Sequence, residues 1–220
     1  MNCEGLIFDL DGVVVHTDRY HYLAWKTIAD RLKLPFDEQT NNRLRGVSRM
    51  ESLAILLEGC PGAPPDEAEQ ARLAEEKNRI YRQFLMQMVP DNVDPRTRQV
   101  LACLRERGYR LAIGSSSRNA RLILERVSLT DAFDAIADGT GITRSKPDPE
   151  VFLLAARELG LRPERCAVIE DAAAGITAAK RCGMLAVAIG GAAADSRADV
   201  RIAALGELTA IFTGVGGGDR

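Results

Sequence analysis

Four short stretches carry side chains suited to handling a phosphoryl group: Asp9 and Asp11 on either side of Leu10, the run Ser115-Ser116-Ser117, Lys146 between Ser145 and Pro147, and the pair Glu170-Asp171. If these carboxylates converge they repel one another unless a cation neutralises them. An all-oxygen ligand set suits Mg²⁺. With that charge relieved, an aspartate oxygen can act as a nucleophile and carry an acyl-phosphate, and Asp9 is the candidate. Asp11, two residues further along an extended chain, projects to the same side and can move a proton to or from the leaving or attacking oxygen. Lys146, Ser115 and backbone N–H groups can meet the equatorial phosphoryl oxygens. Taken singly, Asp-x-Asp-Gly reads as a turn and Lys-Pro as loop chemistry. Their combination at successive strand ends favours an active site.

The elements predicted around these residues supply such strand ends. Gly5 to Leu10 reads as a buried strand running into the turn signal Asp11-Gly12, and open α/β sheets bind ligands at that carboxyl edge. From Thr17 or Asp18, plausible N-caps, an amphipathic helix runs to a stop at Pro35. The pattern from Phe36 to Met88 stays helical, through Leu53, Leu56, Leu57, Leu73, Ile80, Phe84 and Met88, broken by Cys60-Pro-Gly-Ala-Pro-Pro65. From Pro95 strands and helices alternate: strands at Arg110 to Ile113, near Ala135 to Ala137, at Cys166 to Ile169 and at Leu185 to Ile189, with helices between them. The expected fold is therefore α/β, a doubly wound parallel-sheet core of residues 1–15 and 95–220 with a small all-α insertion of residues 16–94.

Composition bounds what else the chain can be. Apolar residues make up 46% and charged residues 27%, an ordinary globular balance. The early apolar stretch Leu6-Ile7-Phe8 is cut short by Asp9 and Asp11, which argues against a signal peptide or spanning helix and for the cytoplasm. Five scattered cysteines without a Cys-x-x-Cys pair suggest free thiols, not a disulfide framework or zinc site. A formal charge of −2 argues against broad nucleic-acid binding.

Together, Asp9-Leu-Asp11-Gly12-Val13, Ser115, Lys146-Pro147 and Glu170-Asp171 resemble the four motifs of the haloacid dehalogenase superfamily. The insertion then corresponds to its small cap domain. Within the superfamily the chain is similar, over nearly its whole length, to the sugar-phosphate mutases that interconvert β-glucose 1-phosphate and glucose 6-phosphate. Tyr20-His21, Leu44-Arg45-Gly46-Val47-Ser48-Arg49, Ser52-Leu53, Lys77-Asn78 and Ser117-Arg118-Asn119 carry that likeness. It implies a phospho-Asp9 enzyme with Asp11 as general acid/base, one Mg²⁺ per chain, and β-glucose 1,6-bisphosphate as an intermediate that turns round between two half-reactions. By the same likeness Asp9, the main chain of Asp11, Glu170 and Asp171 hold the metal, and Ser115, Ser116 and Lys146 hold the transferring phosphoryl group. Arg49, Ser117, Arg118 and Asn119 hold the other phosphate, with Gly46, Ser52 and Lys77 completing the cap side. His21 couples cap closure to Asp11.

Plainer readings stand beside these: Arg49 as a solvated helix-start cation, Lys77 as one charge on an exposed face, His21 and Trp25 as packing residues. The chain departs from the pattern at His16, where relatives carry aspartate, and at Pro95-Arg96, where a glycine is usual and a side chain would stiffen the linker. The expected partner is a small sugar phosphate, met by a monomer without nucleic acid or membrane. The competing readings are a sugar-phosphate phosphatase on the same fold and a non-catalytic sugar-phosphate sensor.

Overall fold

The computed structural model describes residues 3–44, 47–61 and 63–215. Six strands form one parallel sheet in the order β3-β2-β1-β4-β5-β6. They are β1 (Gly5–Phe8), β2 (Arg110–Gly114), β3 (Ala135–Ala137), β4 (Cys166–Glu170), β5 (Leu185–Ala188) and β6 (Val200–Arg201). Side chains alternate across a strand, and here the alternation divides the core in two. Leu6, Phe8, Leu111, Ile113, Ala167, Ile169 and Val187 join one apolar cluster, while Ile7, Ala112, Val168, Ala186 and Ala188 join another.

Helices cover both clusters, which is why the strands read as unbroken apolar runs. α5 (Pro95–Glu106) and α6 (Ala120–Arg126) bury Leu101, Leu104, Ile123 and Leu124 against the first, with the short α9 (Leu208–Ile211). α7 (Glu150–Glu158) and α8 (Ala173–Arg181) bury Phe152, Ala155, Ile176 and Ala179 against the second. Each large apolar side chain so buried contributes about 1.5–3 kcal/mol. The expected doubly wound parallel core is present. The sequence reading missed β6, because two residues in a polar stretch leave no period to detect.

Among the described residues, four α-helices stand between β1 and α5: α1 (Asp18–Leu32), α2 (Glu38–Arg43), α3 (Arg49–Leu57) and α4 (Glu67–Leu85). α1, α3 and α4 share an apolar cluster of their own through Trp25, Ile28, Leu53, Leu56 and Leu73, joined by Phe36 and Leu44 on either side of α2. Ala24, Tyr81, Leu85 and Met88 pack instead with the sheet's cluster.

Three local expectations are corrected. Thr17 occupies the N-cap position of α1 but makes no cap hydrogen bond; its hydroxyl donates to Asp11 Oδ1. The buried face of α4 runs through Leu73, Lys77, Tyr81 and Leu85, with Ile80 and Phe84 only half-buried, because the helix turns Lys77 and Tyr81 toward the core. Arg96 lies in the first turn of α5, its N–H donating to the Asp94 side chain, so nothing at this return requires a positive φ.

Candidate active site

The strand order reverses direction between β1 and β4, the place where an open α/β sheet leaves a crevice at its carboxyl edge. Asp9 follows β1 directly, its N–H donating to Ile169 O at 2.9 Å. Its side chain is buried. Glu170 ends β4 and is also buried; its Oε1 accepts the N–H groups of Asp171 (3.1 Å) and Ala172 (3.0 Å). Gly12 turns the chain after Asp11 with φ of 89°, a conformation open to glycine. A Cβ there would meet Asp171 Oδ2 at 2.1 Å, so the turn gives the Asp171 carboxylate its place.

Lys146 is 1% exposed and joins these groups. Its ammonium donates to Asp9 Oδ1 and, at 2.8 Å, to Glu170 Oε2. Burial works against that ammonium, but Asp9 and Glu170 outweigh it and hold Lys146 protonated. Burial and the Asp9 charge push Glu170 above the usual carboxylate range, with Lys146 opposing. Asp9, Glu170 and Asp171 each offer a carboxylate oxygen, all within 4.8 Å of one another. Three carboxylates against one ammonium leave an excess of negative charge, and the donors are hard oxygens. This set fits a divalent cation of the Mg²⁺ type.

Asp11 stands beside this group and is pushed up to about 7, chiefly by burial and further by Asp9 and Asp18, while the Thr17 hydroxyl opposes the rise. A carboxyl poised there can both give and take a proton near neutral pH. Tyr81 Oη donates to Thr17 Oγ1 at 3.1 Å, so a chain of hydroxyls runs from α4 to Asp11. His21 lies against the Tyr81 ring, with centroids 4.0 Å apart, and its Nδ1 is 2.8 Å from Lys77 Nζ. Thus Thr17 donates to Asp11, and His21 is engaged with Lys77.

Lys77 is not a charge on an exposed face. It is buried beneath the rings of Trp25 and Tyr81, 5.0 and 4.6 Å from their centroids, and burial with Arg49 lowers it to about 7. Arg49 is the first residue of α3, and a capping box fixes that helix start: Ser48 Oγ accepts the Glu51 N–H (3.2 Å) and Glu51 Oε2 accepts the Ser48 N–H (2.8 Å). Arg49 is 3.4 Å from the exposed Glu75 carboxylate. On the core side the serine loop is braced internally, Ser115 Oγ accepting from Ser117 N (3.1 Å) and Ser117 Oγ from Asn119 N (3.2 Å). The Ser116 hydroxyl is buried without a partner. Arg118 Nε donates to Gly139 O at 3.2 Å.

One cavity of about 740 Å³ gathers all of this. Asp9, Asp11, Lys146, Glu170, Asp171 and Ser115 line it, as do Arg49, Ser52, Lys77 and Ser116 to Asn119, with His21 and Trp25. Every site residue read from the sequence is there except Gly46, which, like Arg45, lies outside the described residues. His16 is exposed. Sequence reasoning missed Thr17 as a partner of Asp11, and Tyr81 altogether. The available signal was spacing, since Tyr81 follows Lys77 by four residues on one helix face.

A family model described as haloacid dehalogenase-like hydrolase matches residues 3–183. The β-phosphoglucomutase of Bacillus subtilis (strain 168) is 42% identical over 207 residues, 94% of this chain and 92% of that one. The phosphorylated carbohydrates phosphatase of Thermotoga maritima is 32% identical over 183 residues, 82% of each chain. Among solved structures, β-phosphoglucomutase from Clostridium difficile matches with a TM-score of 0.88 at 34% identity, over 96% of this chain and 95% of that one. No helix of the described residues is long and apolar enough to cross a membrane.

Proposed function

The chain belongs to the haloacid dehalogenase-like hydrolase family, and from that premise we propose that it interconverts β-glucose 1-phosphate and glucose 6-phosphate through phospho-Asp9 and β-glucose 1,6-bisphosphate. The observation that carries this reading is that one cavity is lined both by the carboxylate and ammonium group and by two guanidinium cations. The cations are Arg49 of α3 and Arg118 of the serine loop, near enough for their charges to act on one another. A bisphosphate that must turn round needs both a reacting end and a holding end.

Asp9, Glu170 and Asp171, with the Asp11 carbonyl, would hold Mg²⁺, which supplies charge neutralisation to the transferring group. The Asp9 carboxylate attacks phosphorus and the bond to the sugar oxygen breaks. Asp11 gives its proton to that departing oxygen and takes one back from the hydroxyl that attacks in the second half-reaction. Lys146, with Ser115 and Ser116, faces the equatorial oxygens. The partnerless Ser116 hydroxyl supports this, because a phosphoryl oxygen would satisfy it. Arg49 suits the far phosphate because a guanidinium grips two oxygens at once.

Residues 16–94 act on this reading as a cap over a core of residues 1–15 and 95–220, closing to exclude water that would hydrolyse the acyl-phosphate. The apolar cluster that α1, α3 and α4 build apart from the sheet supports that division, although Ala24, Tyr81 and Leu85 pack with the sheet's cluster. The enzyme works as a cytoplasmic monomer on a free sugar phosphate, without nucleic acid; five free thiols suit a reducing compartment and the −2 charge suits a small ligand held by local cations. The phosphatase reading has its own support in the Thermotoga maritima relative. Glucose 6-phosphate and free phosphate, followed together from β-glucose 1-phosphate, Mg²⁺ and a trace of the bisphosphate, separate the two. Fast glucose 6-phosphate with little free phosphate is expected; phosphate release alone would make the protein a phosphatase, and inactivity with the complete mixture would leave the sensor reading.

A further inference from the structure

Asn119 ends the serine loop at the start of α6, and one cap helix holds its buried carboxamide from both sides. Arg82 Nη1 donates to Asn119 Oδ1 at 3.1 Å, and Asn119 Nδ2 donates to Asn78 Oδ1 at 3.0 Å. A guanidinium can only donate, so the contact with Arg82 fixes which end of the amide is oxygen. Asn78 and Arg82 are four residues apart on α4 and share a face. The amide nitrogen carries two hydrogens, and Asn78 takes one. Asn119 lines the cavity, whereas Arg82 is not among the lining residues.

The residues immediately before this pair on α4 are Lys77 and Tyr81, which reach His21 and, through Thr17, Asp11. One helix therefore braces both Asn119 and, through Thr17, Asp11. From this geometry we propose that Arg82 is a positioning residue. It latches the cap to the core through Asn119 and, by holding Oδ1, turns the second amide hydrogen toward the phosphate-holding end of the cavity. The phosphate-holding part rests on the mutase reading above; the latch does not, since its contacts are made by the protein alone.

Arg82→Met keeps the apolar stem and removes the donors, and Arg82→Lys restores a single charged donor. In the ligand-free protein, hydrogen–deuterium exchange read by mass spectrometry is expected to quicken in the peptide carrying Ser115 to Asn119 for Arg82→Met and to recover in part for Arg82→Lys. Unchanged exchange would overturn the latch, whatever reaction the enzyme runs. With β-glucose 1-phosphate, Arg82→Met is expected to raise KM roughly ten-fold, as for loss of a hydrogen bond to a charged group, with a smaller effect on kcat. In an Asn119→Ala background the same change should raise KM less than two-fold, because the two residues act as a unit. A full ten-fold rise there would overturn the positioning role.

Discussion

Replacing Gly175 with alanine should damage the Asp9, Glu170 and Asp171 carboxylate cluster although none of these residues is changed. In an ordinary helix interior that change stabilises by about 1 kcal/mol. Gly175 lies in the first turn of α8, directly over the Glu170 side chain. A Cβ built there would lie 1.9 Å from Glu170 Oε2, 2.1 Å from Cδ and 2.4 Å from Cγ. The Glu170 side chain must therefore swing away, giving up its bonds to Lys146 Nζ and to the N–H groups of Asp171 and Ala172. Breaking a buried ion pair costs about 3–5 kcal/mol, so the net loss is about 2–4 kcal/mol. At about 2–4 °C per kcal/mol for a chain of this size, Tm falls on the order of 10 °C. Differential scanning calorimetry gives Tm, and turnover measured against Mg²⁺ concentration tests the site; the Mg²⁺ requirement should rise along with the loss of stability. A Gly175→Ala protein that melts at or above the parent temperature with the same Mg²⁺ dependence would show that Glu170 does not depend on this close approach.

Three further outcomes are expected. Asp11→Ala should cut kcat by about 10²–10⁴, as loss of a proton-transfer group does, while phosphorylation of Asp9 by the bisphosphate, whose leaving group needs the same proton, should slow in parallel in rapid-quench experiments. Arg49→Ala should lower glucose 6-phosphate formation more than phosphate release, and equal loss of both would remove Arg49 from the holding end. Lys77, lowered from 10.5 to about 7, loses its proton in the folded state while the unfolded chain still holds it, so stability rises as pH climbs from about 7 to 10.5. At 1.36 kcal/mol per pH unit the ceiling is about 5 kcal/mol; Lys77→Met should flatten that rise in urea unfolding at pH 6.5 and 9, and an unchanged slope would contradict it.

Much of the core could be read from the sequence because parallel strands buried on both faces leave apolar runs, and their polar carboxyl ends mark the crevice. Asp9, Ser115 and Glu170 stood out for that reason. The cap was harder. Its helices show a period, but the buried face of α4 carries Lys77 and Tyr81, which a hydrophobicity pattern assigns outward. The Ser48–Glu51 capping box that sets Arg49 at a helix start was legible from spacing alone and passed unnoticed. Thr17 gives its hydroxyl proton to Asp11 while its oxygen accepts from Tyr81, and it caps none of the N–H groups at the start of α1. Contacts between distant segments, such as Arg82 with Asn119, leave no mark in a single sequence.

The covalent step at Asp9 can be observed directly. The enzyme is mixed with β-glucose 1,6-bisphosphate and Mg²⁺, quenched in acid within milliseconds, digested, and its peptides read by mass spectrometry. A phosphoryl group on the peptide carrying Asp9, absent from the Asp9→Asn variant and lost again as glucose 6-phosphate forms, is the predicted result. Turnover in the Asp9→Asn variant at a rate near the parent's, or a phosphoryl group on another side chain that keeps pace with turnover, would contradict it.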